Sequence, residues 1–289
     1  MADVRSISFA KGHGTQNDFV ILPDPAADLD LSASKVAAIC DRRAGIGADG
    51  LLRVLPVEKS EIGGSAQTAN WFMDYRNADG SIAEMCGNGA RVFARYLHDK
   101  GWESANHFVI ATRAGEHQVE IMADGNVSVD MGRPRTGPQG EAPTVGVGDE
   151  RLEADAWWLP NPHAVVFVDD PELFEYPLAE PWVLDHGRFP EGQNVEYVQD
   201  RSTDGHLHGV VRVHERGVGE TLSCGTGACA VSLSLRKRHQ VAQPSTSIVD
   251  VRGGRLLVRH ATDDRIDLVG PAELVARGTF DENWWEDAG

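Results

Sequence analysis

The chain has 289 residues, 41% of them apolar and 25% charged, with 44 Asp and Glu against 27 Lys and Arg and a net charge of −17. That length supports a core of its own and about two domains, which excludes a disordered chain or a disulfide-stapled mini-protein. So negative a surface disfavours nucleic acid and anionic membranes as partners.

Mixed α/β structure, rich in strands, is expected in chain order. Period-two or short apolar runs mark strands at 7–10, 19–22, 51–55, 71–75, 107–111, 118–122 and 127–131, and again at 164–168, 195–198, 210–214, 247–251, 256–259, 266–269 and 273–276. Helical patterns are fewer: 32–41 behind a Ser cap, 88–100 ending at Gly101, and 225–239 with Arg236, Lys237, Arg238 and His239 in its last turn. Residues 132–149, dense in Gly and Pro, read as a linker or long surface loop. No apolar run is long enough to span a bilayer and no signal-peptide segment opens the chain, so a cytoplasmic location is expected. The four cysteines then read as free thiols, ligands or catalysts before structural disulfides, and no spacing among them resembles a zinc site.

An internal repeat carries the chemistry. Cys86-Gly-Asn-Gly-Ala opens the second helix and Cys224-Gly-Thr-Gly-Ala the third, 138 residues apart (224 − 86). Nine residues before each cysteine a polar residue closes a strand: Asn77 before Cys86, Glu215 before Cys224. Two pseudo-symmetric domains follow, 1–131 with 271–289 carrying Cys86 and 132–270 carrying Cys224. The unpaired N–H groups and positive end of a helix lower a thiol's pKa and cradle a carboxylate. Two such ends facing one substrate suit removal of a proton from carbon by one thiolate and return of a proton to the other face by the opposite thiol. A lone Cys before a Gly-rich helix is more often a small core residue. Cys40 and Cys229, which lack the paired context, are read as core.

The residues around this repeat resemble the diaminopimelate epimerase family. Lys11-Gly-His-Gly-Thr-Gln-Asn17-Asp-Phe, Asp41-Arg-Arg-Ala-Gly-Ile-Gly-Ala-Asp-Gly50, Tyr75-Arg-Asn77-Ala-Asp-Gly-Ser, Met85-Cys86-Gly-Asn-Gly-Ala-Arg91, Asn161-Pro-His163, Gln193-Asn194-Val-Glu, Glu215-Arg216-Gly-Val-Gly-Glu-Thr and Ser223-Cys224-Gly-Thr-Gly-Ala-Cys occur in the family's order. The resemblance implies two α/β domains, each a curled mixed sheet around a central helix. It implies an isomerase that interconverts LL- and meso-2,6-diaminopimelate in lysine and peptidoglycan precursor synthesis, without pyridoxal phosphate, other cofactor or metal, as a homodimer. Cys86 and Cys224 would be the two bases. Gly87, Asn88, Gly225 and Thr226 would present N–H groups to the α-carboxylate. Asn17, Asn77, Asn161, Asn194, Glu215 and Arg216 would surround the substrate, with Arg216 suited to the distal carboxylate. His163 and Glu215 would tune the thiols.

The chain departs from the family's pattern in places. Many relatives carry Gln where Gly50 stands, and some place an aromatic where this chain has Ala276. Trp284 and Trp285 lie in an acidic tail without assignment, and at least one indole is expected to pack. A proline or hydroxyproline racemase of the same fold is the nearest rival, disfavoured by the Asn set and Arg216, which suit a longer substrate with a second charged end. A redox dithiol and a nucleotide-binding module are more distant readings; the first makes activity dependent on reductant, and the second lacks a full fingerprint.

Overall fold

The computed structural model describes residues 6–63, 65–136, 142–147, 150–173, 189 and 192–289. The chain divides into two compact units, Met1–Val129 with Pro271–Gly289, and Asp130–Gly270. The first unit runs β1 (Ser8–Gly14), β2 (Asn17–Pro23), α1 (Ala33–Cys40), β3 (Gly50–Pro56), β4 (Trp71–Asn77), α2 (Gly87–Asp99), β5 (His107–Thr112), β6 (Gly115–Ile121) and β7 (Val127–Asp130). The second runs β8 (Arg135–Thr136), β9 (Thr144–Val147), β10 (Glu150–Glu153), β11 (Asp155–Trp158), β12 (Pro162–Phe167), β13 (Asn194–Asp200), β14 (Leu207–Glu215), β15 (Gly219–Thr221), α3 (Gly225–His239), β16 (Ser245–Val251), β17 (Gly254–His260) and β18 (Ile266–Gly270). The chain then returns to the first unit with β19 (Glu273–Thr279) and α4 (Glu282–Asp287).

The duplication seen in the cysteine motifs extends to strand pairing. In the first unit the order is β19-β1-β2-β3-β4-β5-β6-β7, with β2–β3 and β4–β5 parallel and the other neighbours antiparallel. In the second it is β8-β11-β12-β13-β14-β16-β17-β18, with β12–β13 and β14–β16 parallel and the rest antiparallel. Parallel neighbours need a crossover. In each unit the second crossover is the long helix behind a cysteine: α2 between β4 and β5, α3 between β14 and β16.

These helices form the centres of their units. Ten of the 13 residues of α2 are buried, and ten of the 15 of α3. Small residues let the sheet come close. A Cβ on Gly12 of β1 would lie 2.7 Å from Glu273 O and 3.0 Å from a methyl of Val92 on α2. The buried serines of α3 are satisfied internally: Ser232 Oγ bonds Ser247 Oγ and His260 Nε2 at 2.7 Å each, and Trp157 Nε1 donates to Ser234 Oγ at 2.9 Å. A helix of low amphipathicity is thereby buried without orphaned hydroxyls.

Ser32 caps α1 as its sequence implies, its side chain accepting from Lys35 N. The 132–149 stretch is less irregular than its Gly and Pro content suggests. Arg135–Thr136 pairs with β11, and Thr144–Val147 forms a hairpin with Glu150–Glu153; residues 137–141 and 148–149 lie outside the described residues. Backbone pairing there overrides composition. The tail forms α4, capped by Asp281. Trp284 stacks on Phe280 at 5.4 Å, Trp285 tilts against the same ring at 5.1 Å, and Lys35 Nζ lies 4.9 Å over Trp285. Among the described residues no helix is long and apolar enough to cross a membrane.

Candidate active site

Each cysteine is the N-cap of its helix. Cys86 Sγ accepts from Gly89 N at 3.4 Å and Cys224 Sγ from Gly227 N at 3.4 Å, so both sulfurs sit on the unpaired N–H groups of a first helical turn. Cys86 is partly exposed and Cys224 is buried. Matched strand registers bring matched residues to both ends. In the first unit Phe19 pairs with Gly50 and Gly50 with Asn77. In the second His163 pairs with Asn194, and Asn194 and Glu215 end their strands one step beyond the Val195–His214 pair. Asn17 and Asn161 each lie two residues ahead of these rows.

In the first unit the amides form a chain of fixed polarity. Arg91, fully buried, donates to Asn88 Oδ1 at 2.8 Å, and Asn88 Nδ2 donates to Asn17 Oδ1 at 3.3 Å. Asn17 Nδ2 donates to Asp49 Oδ2 at 2.8 Å. A guanidinium only donates and a carboxylate only accepts, so both amide orientations are determined. The Asn17 carbonyl therefore faces the sulfur, and Cys86 Sγ lies 3.7 Å from it as donor. Asp49 is held in turn by Arg42, which also grips Asp18. Lys11 binds Asp18 at 2.5 Å and the Gly47 carbonyl. Burial works to raise the Asp18 carboxyl, but Arg42 and Lys11 outweigh it and bring it down to about 2. Asn77 is fastened on both sides: Tyr75 Oη donates to its Oδ1 and its Nδ2 donates to Ser81 Oγ, both at 2.9 Å.

Gly50 has no room for a side chain. A Cβ there would lie 2.7 Å from the Arg76 carbonyl oxygen and 2.8 Å from Tyr75 Cε2. A tyrosine ring fills the space beside Gly50, and its hydroxyl reaches Asn77.

In the second unit Asn194 Oδ1 accepts from Arg216 N at 3.0 Å, which turns its Nδ2 toward Cys224 Sγ at 3.8 Å. Thr226 Oγ1 lies 3.5 Å from the same sulfur. Gly225 is buried at the start of α3. Arg216 is exposed, with one guanidinium nitrogen 3.5 Å from Gly192 O. Glu215 accepts from Thr221 Oγ1 at 2.5 Å.

His163 is held by Glu196, a residue not singled out above: Nδ1 lies 2.6 Å from Glu196 Oε1, with both side chains fully buried, and Nε2 lies 3.1 Å from Asn161 Oδ1. One expectation changes here: the lowering effect of the helix terminus on the Cys224 thiol is outweighed. Burial pushes it well above the ordinary thiol value, aided by the negative charges of Glu215 and Glu196; the N–H of Gly227 and the hydroxyl of Thr226 oppose this only in part. Glu196, Asp49, Tyr75 and Ser81 are the residues that reading for chemistry overlooked. All four stand inside the ordered sequence blocks, which was the available signal. Cys40 and Cys229 are buried, and burial pushes the Cys40 thiol up to about 11. Among the described residues no group of three or more His, Cys, Asp or Glu is placed to hold a metal ion.

Two matched α/β units, each with its sheet around a helix capped by cysteine, make up a fold that recurs in other solved structures. A hydroxyproline epimerase from Agrobacterium vitis superposes with a TM-score of 0.65 at 14% identity, covering 96% of this chain and 93% of that one. A phenazine biosynthesis protein of the PhzF family from Bacillus anthracis gives 0.65 at 17% identity, covering 96% and 99%. At such identities the likeness is one of fold. Sequence is more specific: the diaminopimelate epimerase family model matches residues 9–137 and 159–275. The diaminopimelate epimerase of Streptomyces coelicolor is 49% identical over 286 residues, 97% of each chain, and that of Mycobacterium ulcerans 46% over 298 residues, 96% of this chain and 98% of its own. The chain belongs to the diaminopimelate epimerase family.

Proposed function

We propose that this protein interconverts LL- and meso-2,6-diaminopimelate, with Cys86 and Cys224 as the two bases. The observation that carries the reading is the near-full-length match to diaminopimelate epimerases together with a cysteine N-cap at the central helix of each unit. A thiolate takes the α-proton and becomes a thiol. The electron pair left on the α-carbon delocalises into the carboxylate, whose growing charge the helix N–H groups of Gly87, Asn88, Gly225 and Thr226 stabilise. The other thiol then gives its proton to the opposite face of that carbon and becomes the thiolate. No net proton is consumed, and the reverse reaction exchanges the roles. Arg216 takes the distal carboxylate by bidentate contact. Asn17, Asn77, Asn161, Asn194 and Glu215 bind the ammonium and carboxylate groups, and His163 and Glu215 tune the thiols. The reading needs no cofactor, treats a small amino acid as the partner rather than nucleic acid or membrane, and takes the working form to be a cytoplasmic homodimer.

The test is α-proton exchange. Reduced protein in heavy water with LL-diaminopimelate, followed by proton NMR, is expected to lose the α-proton signal while meso isomer accumulates. Proline is expected to be inert, and the Cys86→Ser and Cys224→Ser proteins to give no meso isomer. Exchange of proline but not diaminopimelate would transfer the protein to the racemase reading.

A further inference from the structure

The two units differ in chemical character at a pair of matched positions beside the cysteine helices. Counting from the rows that pair Phe19 with Gly50 and His163 with Asn194, Phe19 corresponds to His163, and Leu52 to Glu196. Phe19 and Leu52 in one unit and Glu196 in the other cover the same spot, the third residue after the cysteine. A Cβ on Gly89 would meet Leu52 Cδ2 at 3.2 Å and Phe19 Cζ at 3.5 Å; a Cβ on Gly227 would meet Glu196 Oε1 at 2.6 Å. The helix start behind Cys86 is therefore roofed by two hydrocarbons, and the one behind Cys224 by the Glu196 carboxyl group, which lies against His163 Nδ1. Glu196 is fully buried, and its Oε2 has no hydrogen-bond partner among the described residues. A buried polar oxygen left unpaired is costly, so a role beyond packing is called for. Apolar residues fill the matched positions in the other unit, so the fold does not require this pair.

We propose that Glu196 is a positioning residue for the Cys224 half of the reaction: it clamps His163 through Nδ1, and its charge against the first turn of α3 keeps the proton on Cys224 at rest. Cys224 thereby enters the cycle as the acid, although the two helix starts are duplicates in sequence. Glu196 comes from β13, Glu215 ends β14 and His163 comes from β12; the groups on or near the sulfur itself are Asn194 Nδ2, Thr226 Oγ1 and Gly227 N–H. Both carboxylates oppose ionisation of the thiol, and the neutral donors favour it. The kinetic side of this inference rests on the two-thiol reading above; the proton assignment does not.

The test is a pH titration by NMR of protein carrying ¹³Cβ-labelled cysteine, whose shift separates thiol from thiolate even when the group is buried. Assignments come from the signals lost in Cys86→Ser and Cys224→Ser. Glu196→Gln keeps the size and an acceptor for His163 but removes the charge. It is expected to move the Cys224 midpoint down by about one pH unit and leave Cys86 within a few tenths. Glu196→Asp, which keeps the charge, is expected to hold the Cys224 midpoint near the wild-type value. In turnover, Glu196→Gln should lower kcat more than it raises KM. An unmoved Cys224 midpoint, or an equal shift at both cysteines, overturns the assignment. If the Gln protein does not fold, the wild-type protein decides: Cys224 is expected to ionise at a higher pH than Cys86, and the reverse order overturns the proposal. A wild-type protein inert toward diaminopimelate but showing the shift would fail the substrate reading and leave the role of Glu196 standing.

Discussion

Gly50→Ala tests whether Tyr75 and the Arg76 carbonyl leave residue 50 no room for a side chain. The added Cβ would stand 2.7 Å from the Arg76 carbonyl oxygen and 2.8 Å from Tyr75 Cε2, a shortfall of about 0.7 Å against ordinary contact. One obstacle is backbone in the β3–β4 ladder and cannot rotate away. Overpacking of this kind costs about 1–3 kcal/mol, and replacing Gly by Ala returns about 0.4–1 kcal/mol through the unfolded chain. Sterics prevail, leaving a net loss of about 1–2 kcal/mol. In thermal unfolding followed by circular dichroism that corresponds to a fall in Tm of about 2–8 °C. In a Tyr75→Ala background the loss should shrink but persist, because the Arg76 carbonyl remains. A Gly50→Ala protein as stable as wild type would refute the reasoning, as would complete relief by Tyr75→Ala.

Three further outcomes are expected. Tyr75→Phe removes the hydroxyl that donates to Asn77 Oδ1 at 2.9 Å; one net hydrogen bond predicts a rise in KM of about 2- to 10-fold, and steady-state kinetics with unchanged KM would dismiss the hydroxyl. Arg42 and Lys11 bring the Asp18 carboxyl down to about 2 from an ordinary 3.8, so its stabilisation is complete above pH 4 and is lost as pH falls through 2. It amounts to on the order of 2 kcal/mol, so Asp18→Asn should cost more at pH 6 than at pH 3 in urea unfolding, and an equal cost at both would contradict the linkage. Phe280 contacts Phe9, Trp284 and Trp285; Phe280→Ala should cost about 3 kcal/mol and shift tryptophan emission to the red, whereas an unchanged spectrum would mean that the tail packs without it.

Sequence alone determined the parts governed by local chemistry. Ser32, Gly101 and the basic end of α3 mark helix boundaries because capping and the helix dipole act over a single turn. Cys86 and Cys224 were legible because two glycine-rich helix starts at half-chain spacing are a repeat that needs no coordinates to detect. The strands around them followed from period-two runs. The short strands β8 and β9 did not, because pairing with distant partners rather than their own composition makes them strands.

Only the tertiary structure decided which residues surround each sulfur. The β13–β14 and β12–β13 registers, not proximity in sequence, place Glu196 on His163 and leave Glu215 at its strand's end beside Thr221. The same long-range pairing puts Tyr75 where a side chain on residue 50 would stand. Burial then reversed the local expectation at Cys224. A helix N-terminus favours a thiolate, but desolvation and two carboxylates brought in by β13 and β14 outweigh one turn of N–H groups. A charge's surroundings are set by residues far away in sequence, so its sign preference is a property of the fold rather than of the motif.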